Sequence, residues 1–219
     1  MPRVLFEKTG TAIYISHLDL MRLFQRAFKR AGLHLTHTQG FNPRPSVSIV
    51  MPLSVGVESH CELLDFTLDG DLVSDEEIME RLNRALVPGI RVLQVYQEGA
   101  KTKNLAYLDC AVFLEYDTGV PQDARERVRE LFAGSSLLVE KRGKNGVTEQ
   151  DLIPMIRSMD VKQEDENMLV LHARVCCQNP TLNPAQLVAA IEKYLPECKP
   201  DFFRCCRCEI YNAEESIFR

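Results

Sequence analysis

The side chains best suited to ligand binding are concentrated in one short segment, GFNPRP at positions 40–45. Its glycine permits backbone angles that other residues avoid, and its two prolines fix φ and remove N–H donors. In this stiffened frame Asn42 can pair with a base edge, and Arg44 can bind phosphate or guanine. Phe41 can stack on an unpaired base, which is typical of single-stranded RNA recognition. Alternatively, Phe41 packs in the core and the prolines only protect a strand edge.

A second candidate surface is the polar face of the helix predicted just upstream. Arg22, Arg26 and Arg30 recur there at i, i+4 and i+8, with Gln25 and Lys29 beside them. Like charges at this spacing repel by about 0.2–0.5 kcal/mol per pair. The stripe is therefore either a solvated helix face or a ridge that binds phosphates.

The distribution of charge favours a local anionic partner. The whole chain carries a net charge of −5. Residues 1–60 hold seven Lys or Arg against three Asp or Glu, a net charge of +4, which leaves −9 for the remainder. Because residues 1–60 are basic and the remainder of the chain is acidic, an anionic partner is expected to bind residues 1–60.

Histidines are the candidates for acid–base chemistry. His17 is predicted to start the helix, where the backbone favours anions and a neutral imidazole, so it could act as a general base. It could equally serve only as a neighbour of the helix cap. His34 and His37 precede the loop, but they lack the spacing of a metal site.

Eight cysteines are present, and Cys205 and Cys208 in the predicted strand 203–211 have C-x-x-C spacing, but no second such pair occurs. We expect reduced thiols acting as small buried hydrophobic residues rather than ligands of zinc or of an iron–sulfur cluster. The usual nucleotide-binding and hydrolase motifs do not occur in the sequence. The sequence therefore predicts no metal and no cofactor.

Hydrophobic periodicity predicts the elements that position these residues. In the first half these are strands at 3–8, 46–51, 62–68 and 90–97, and helices capped by Ser16 and Ser74. The order β-α-β-β-α-β is that of the ferredoxin-like fold, with both helices on one face of the sheet and the other face open. In the second half, strands at 105–116, 136–141, 152–161, 168–176 and 203–211 alternate with helices at 121–134 and 184–194.

We therefore predict an α+β protein of two tandem ferredoxin-like units with antiparallel sheets. The first domain spans 1–98, a polar linker follows, and the second domain spans 105–219 with one additional strand. Of the 219 residues 45% are hydrophobic and 26% charged, which is ordinary for a globular protein. With no long apolar run and no secretory signal, we expect no membrane association and a cytoplasmic location.

Four stretches carry a resemblance to a known family. They are Ser16-His17-Leu18-Asp19, the trio Arg22, Phe24 and Arg26, the segment QGFNPRP at 39–45, and PLSVGVES at 52–59. The chain resembles the radical SAM-linked proteins, bacterial proteins of unknown function encoded beside or fused to a B12-binding-type radical SAM protein. The resemblance implies that such a radical SAM protein is its partner. Because this chain lacks a C-x-x-x-C-x-x-C run, the radical chemistry would belong to that partner.

The leading hypothesis is a non-catalytic RNA-binding or substrate-presenting accessory protein, acting on tRNA or rRNA in RNA modification. The predicted nucleic-acid-binding residues are Arg22, Arg26, Lys29, Arg30, His37, Gln39, Phe41, Asn42 and Arg44. One alternative is a metal-independent RNA endonuclease of Cas6-like architecture, with His17 as the base. Another is a protein–protein adaptor for the radical SAM partner, anchored by Phe41 and Arg44. The leading hypothesis requires the basic helix face and the loop to form one surface.

Overall fold

The computed structural model describes residues 1–70, 73–143 and 146–219, and the chain divides into two compact units. The first unit comprises Met1–Asn104 together with Phe218–Arg219, and the second comprises Leu105–Ile217. The predicted first domain ends at residue 98, and the predicted second domain includes the whole C-terminus. The structure instead places the last two residues in the first unit.

The first unit has the element order β-α-β-β-α-β. Its elements are β1 (Arg3–Lys8), α1 (His17–Arg30), β2 (Val47–Ile49), β3 (Glu58–Phe66), α2 (Asp75–Ala85) and β4 (Ile90–Tyr96). The strands lie in the order β4-β1-β3-β2, and each neighbouring pair is antiparallel. A short 3₁₀ segment, Gly10–Tyr14, connects β1 to the start of α1.

Both helices of the first unit pack on one face of its sheet. The apolar side chains of α1 recur at helical spacing, so they form a single stripe, and its aromatic members reach the sheet. Phe24 meets the Phe6 ring edge-on at 4.8 Å between centroids, and Phe28 lies 5.2 Å from Phe66. All four rings are fully buried. The position of α1 is therefore set by this stripe, which leaves its basic face pointing away from the core.

The predicted cap at the start of α1 is present. Ser16 Oγ accepts a hydrogen bond from the Asp19 backbone N–H at 3.2 Å and donates to Asp19 Oδ2 at 2.7 Å. The hydrogen bond from Ser16, followed by that from Arg22, lowers the pKa of the Asp19 carboxyl from its ordinary value. The first turn is therefore held by a polar cluster that includes one residue of the basic stripe.

Replacing Ser16→Ala is expected to lower the free energy of unfolding by about 1 kcal/mol, because an N–H group of the first turn loses its acceptor. Asp19 has a lowered pKa in the folded state, so its share of the stabilisation is complete at neutral pH. That share disappears as the pH falls through the folded-state pKa. Urea unfolding at neutral and acidic pH measures both effects. Ser54→Ala, at an exposed serine outside any helix, is the matched control, and an equal loss there would contradict the cap assignment.

In its described residues the second unit has two α-helices and two more strands than the first. Its elements are β5 (Leu105–Glu115), α3 (Ala124–Phe132), β6 (Leu138–Gly143), β7 (Gly146–Asp151), β8 (Ile156–Asp165), β9 (Met168–Cys176), α4 (Ala185–Tyr194) and β10 (Phe202–Asn212). Antiparallel pairing gives the order β10-β5-β9-β8, whereas β6 and β7 form a separate two-stranded sheet in the described part of the chain. The prediction of one additional strand is therefore wrong. The segment GVTEQD of β7 is polar and largely exposed, so it lacks the alternation that reveals a strand.

The far face of the first unit's sheet is not open at Arg3, contrary to the prediction. The Arg3 side chain is 2% exposed and donates two hydrogen bonds to Asp65, from Nε at 2.6 Å and from Nη2 at 3.1 Å. It also donates to the Ala100 carbonyl at 2.9 Å, and its guanidinium lies 5.2 Å from the centre of the Phe218 ring. The last two residues are thus packed beside a buried charge of β1.

Candidate functional site

The loop that contains GFNPRP is a paired arm rather than an irregular connection. Within it, the Thr38 N–H donates to the Arg44 carbonyl at 2.8 Å, and the Ser46 N–H donates to the Thr36 carbonyl at 2.7 Å. Its base is held at the end of β3, because Thr36 N–H and Thr67 O are 2.9 Å apart and Thr67 N–H and Ser46 O are 3.1 Å apart. We call residues 36–46 the arm. The prolines therefore stiffen a segment that backbone hydrogen bonds already hold at one end.

The tip of the arm presents polar and aromatic groups to solvent. Phe41 is fully exposed, so the alternative that it packs in the core is wrong. Gly40 has φ of +141°, in the region that favours glycine. Gln39, Asn42 and Arg44 are also exposed. Within the described part of the chain, the Arg44 side chain makes no ion pair and no hydrogen bond, so its guanidinium is available to a ligand.

Two of the basic side chains of α1 interact with other residues, and two do not form an ion pair within the described part of the chain. All four are exposed, and these are Arg22, Arg26, Lys29 and Arg30. Arg22 Nη1 lies 3.1 Å from Asp19 Oδ1, which offsets part of its charge. Arg30 donates to the carbonyl of Ala85 at the end of α2. The other two form no ion pair with any residue that the structure describes, so they are free to bind an anion.

The helix and the arm meet in a cleft of about 300 Å³. Its walls are contributed by Gln25, Phe28, Lys29, Leu33, His34, Leu35, His37 and Pro45. Lys29 and His37, both predicted to bind nucleic acid, therefore line the same cavity. We call it the α1–arm cleft. Arg22, Arg26 and Arg30 lie instead along a separate groove, whose lining also includes Asp19 and Val87.

The opposite edge of α1 forms a second basic groove that sequence reasoning missed. Arg30 lines it together with Arg81 and Arg84 of α2. These two arginines pair with glutamates one turn earlier in α2, Glu77 and Glu80. In sequence, such i, i+4 pairs indicate an ordinary solvated face. Only the packing of α1 beside α2 places them next to the stripe.

His17 is not brought to the α1–arm cleft. It is the first residue of α1 and is half-buried, whereas Lys29 lies in the last turn of the helix. At 1.5 Å per residue, the two are about 18 Å apart along the helix axis. His17 does not line this cleft. The geometry therefore separates the proposed base from the α1–arm cleft.

Residues 2–184 match the family model described as "Uncharacterized protein conserved in bacteria (DUF2344)". The chain belongs to the DUF2344 family. No curated protein matches it. The match establishes the bacterial family without indicating a partner or an activity.

The fold of this DUF2344 chain was compared with solved structures. A chain in the crystal structure of a Cbf5-Nop10-Gar1 complex aligns with a TM-score of 0.52 at 8% identity, over 95% of this chain and 48% of that one. The DUF2344 chain thus spans about half of that protein's length. At this identity the likeness concerns the mixed α+β fold alone. An unknown protein from Galdieria sulphuraria aligns over 94% of this chain and 96% of its own, at 13% identity and a TM-score of 0.26.

Two further site predictions concern membranes and metals. In the described residues of the DUF2344 chain, no helix is both long and apolar enough to cross a bilayer. Within the same residues, no cluster of three or more His, Cys, Asp or Glu side chains is placed to bind a metal. All eight cysteines are free thiols.

The thiols differ in exposure and in acidity. Burial raises the pKa of Cys177 and of Cys205 to about 11 and raises that of Cys110 further. Cys208 is exposed, and a hydrogen bond with the Cys206 side chain lowers the pKa of its thiol. Because the thiolate is the nucleophile, a lowered pKa increases the reactive fraction at a given pH.

We therefore expect iodoacetamide to label Cys208 first in the native DUF2344 protein near neutral pH. Cys110, Cys177 and Cys205 should stay unlabelled until denaturant is added. Mass spectrometry of peptides after timed labelling measures the order, and Cys208→Ser should remove the fast phase. Labelling of a buried thiol as quickly as Cys208 would contradict the prediction.

Proposed function

We propose that this protein binds single-stranded RNA through its first unit and presents it to a radical SAM enzyme that modifies the RNA. In this proposal the chain performs no catalysis of its own and acts in the cytoplasm. Its cations, including Arg44, hold phosphates, while Phe41 and Asn42 of the arm contact bases. The radical SAM partner is suggested by the sequence resemblance, since the chain itself lacks a cysteine run for an iron–sulfur cluster.

The observation that carries the proposal is the α1–arm cleft. It joins Lys29 of the basic stripe to His37 of the arm, so the two predicted surfaces meet at Lys29, while Arg22 and Arg26 line another groove of α1. Proteins that bind single strands combine a cationic track for the backbone with aromatic side chains on which bases stack. Here Arg26, Lys29 and Arg44 are exposed cations without an ion pair in the described part of the chain, and Phe41 is an exposed ring at the arm tip. These are the two components of such a site.

The proposed fold is two tandem ferredoxin-like units. The support is the strand order, because β4-β1-β3-β2 in the first unit and β10-β5-β9-β8 in the second place corresponding strands at corresponding positions. The element order β-α-β-β-α-β of the first unit is that of the ferredoxin-like motif. In the second unit the β6–β7 hairpin would be an insertion after α3.

The decisive test is binding of labelled tRNA and rRNA fragments over a range of salt concentrations. Each phosphate contact to a single strand contributes about −0.7 to the slope of log affinity against log salt. With Arg22, Arg26, Lys29 and Arg44 engaged, we expect a slope of about −3. Absence of binding at low salt, or an affinity that does not change with salt, would overturn the proposal.

One observation favours a second candidate, an adaptor that docks on the radical SAM partner. A fully exposed Phe41 on a stiff arm is suited to a pocket on another protein as well as to a base. Co-purification with the partner that survives both nuclease treatment and the Arg22→Glu/Arg26→Glu change would favour the adaptor. Loss of the complex on nuclease treatment would favour RNA presentation. RNA cleavage without metal, abolished by His17→Ala, would instead support the endonuclease.

A further inference from the structure

We infer that the α1–arm cleft is a pocket for one unpaired adenine, an assignment that rests on the proposed RNA binding. Ligand pockets in proteins start at roughly 300 Å³. This cleft, at about 300 Å³, is therefore at the small end of the range. It has room for a single base and not for a duplex. A base can enter only if it is unpaired, which agrees with a single-stranded ligand.

The lining of the cleft suits the flat face of a base. Phe28 and Leu33 are almost completely buried and form its apolar floor. Leu35 and Pro45 are half-buried, so each still presents apolar surface to a ligand. Pro45 belongs to the stiff arm, so this wall is in place before the ligand arrives. Contacts to a base would therefore require little ordering of the protein.

One polar side chain in the cleft can identify the base. Gln25 is half-buried, and its amide makes no hydrogen bond to any residue that the structure describes. A glutamine amide offers an acceptor and a donor side by side, which matches the N6 amino group and N7 of adenine. The imidazoles of His34 and His37 are exposed at the rim, where they can contact the sugar or a neighbouring base.

The charge of the cleft favours a nucleotide over an apolar side chain of a protein partner. Among the described residues that line it none is acidic, and Lys29 lies in its wall. The ammonium group of Lys29 is exposed and forms no ion pair within the described part of the chain. If Gln25 held the base of a nucleotide, the phosphate of that nucleotide would lie near the Lys29 ammonium group. One nucleotide would therefore interact with both Gln25 and Lys29.

The experiment uses oligouridines of about ten nucleotides, a length within the site size of single-strand-binding proteins. One central nucleotide is varied among U, A, C and G, and the affinity of the full-length protein for each is measured. We expect adenine to be preferred by at least about fivefold, the lower end of the effect of one bidentate pair. Gln25→Ala should remove the preference and leave the salt dependence unchanged.

Gln25→Glu makes the test directional. A glutamate cannot donate to N7 of adenine, but it accepts from the N4 amino group of cytosine. We therefore expect the preference to move from adenine to cytosine. Gln122→Ala, at an exposed glutamine of the second unit, should leave the wild-type preference intact. Methyl NMR of Leu35 in the wild-type protein gives an independent measurement, because its signals should shift with the adenine-containing strand more than with plain oligouridine.

Failure of the pocket can be separated from failure of the proposed function. Equal affinities for all four strands, with salt-dependent binding retained, would overturn the adenine pocket and leave RNA binding standing. No binding to any strand or to tRNA would overturn both. Leu35 signals that respond to the radical SAM protein but not to RNA would assign the cleft to a protein side chain and would also overturn the inference.

Discussion

Arg26→Glu combined with Arg44→Glu is expected to lower RNA affinity by at least about 100-fold, because two charge-assisted hydrogen bonds of about 1.5–3 kcal/mol each are replaced by repulsion. Both guanidinium groups are exposed, and neither forms an ion pair in the described part of the chain. The salt dependence should weaken as well. Two lost phosphate contacts reduce its slope by about 1.4. Filter binding or fluorescence anisotropy over a salt series measures both quantities.

The matched control is Arg129→Glu in α3 of the second unit. Arg129 is an exposed helical arginine without an ion pair among the described residues, so this change alters the net charge as Arg26→Glu does. A general electrostatic effect would weaken binding equally in both single variants. A local site requires a loss at Arg26 that Arg129→Glu does not reproduce. Equal losses would exclude a binding surface confined to the first unit.

The elements of the site were predictable because each has a strong local signature. Ser16 and Asp19 identify the start of α1, and the spacing of Phe24 and Phe28 identifies its buried stripe. Once that stripe is known, the exposed position of Arg26 follows from helical geometry alone. The structure reproduces this helix within one residue of the predicted cap.

The position of the arm was a hypothesis that sequence could not test. Its base is attached to Thr67 by backbone hydrogen bonds. Nearly every residue type can form such bonds, so no pattern of side chains predicts them. The hydrogen bond of the Arg30 side chain could not be predicted for the same reason, because its acceptor is the backbone carbonyl of Ala85. Sequence therefore predicts which side chains are cationic and exposed, while tertiary contacts decide which of them remain available.

The environment of Arg3 on β1 also could not be predicted from the sequence. Arg3 is the first residue of β1, and its charge is included in the basic first quarter of the sequence. In the structure its charge is buried and paired with Asp65, 62 positions later, so it contributes nothing to an exposed basic surface. Long-range ion pairs of this kind leave no periodic signal.

Asp65→Ala is accordingly expected to cost about 3–5 kcal/mol of unfolding free energy, because it leaves the Arg3 guanidinium buried without its counter-charge. The two hydrogen bonds from Arg3 to Asp65 would be lost, and only the one to the Ala100 carbonyl would remain. Urea unfolding followed by circular dichroism measures the loss. A decrease below about 1 kcal/mol, the value typical of exposed pairs, would show that the pair is solvated in solution.

The double replacement Arg3→Leu/Asp65→Leu separates the cost of an orphaned charge from loss of packing. Replacing both partners of a buried ion pair with apolar residues is often neutral, or stabilising by about 1–4 kcal/mol. The double variant should therefore recover most of the stability that Asp65→Ala loses. The buried guanidinium also explains Gly99, where a Cβ would lie 2.5 Å from Arg3 Cζ. Gly99→Ala should destabilise the wild type and be tolerated in the double variant, because leucine lacks the atoms that would clash.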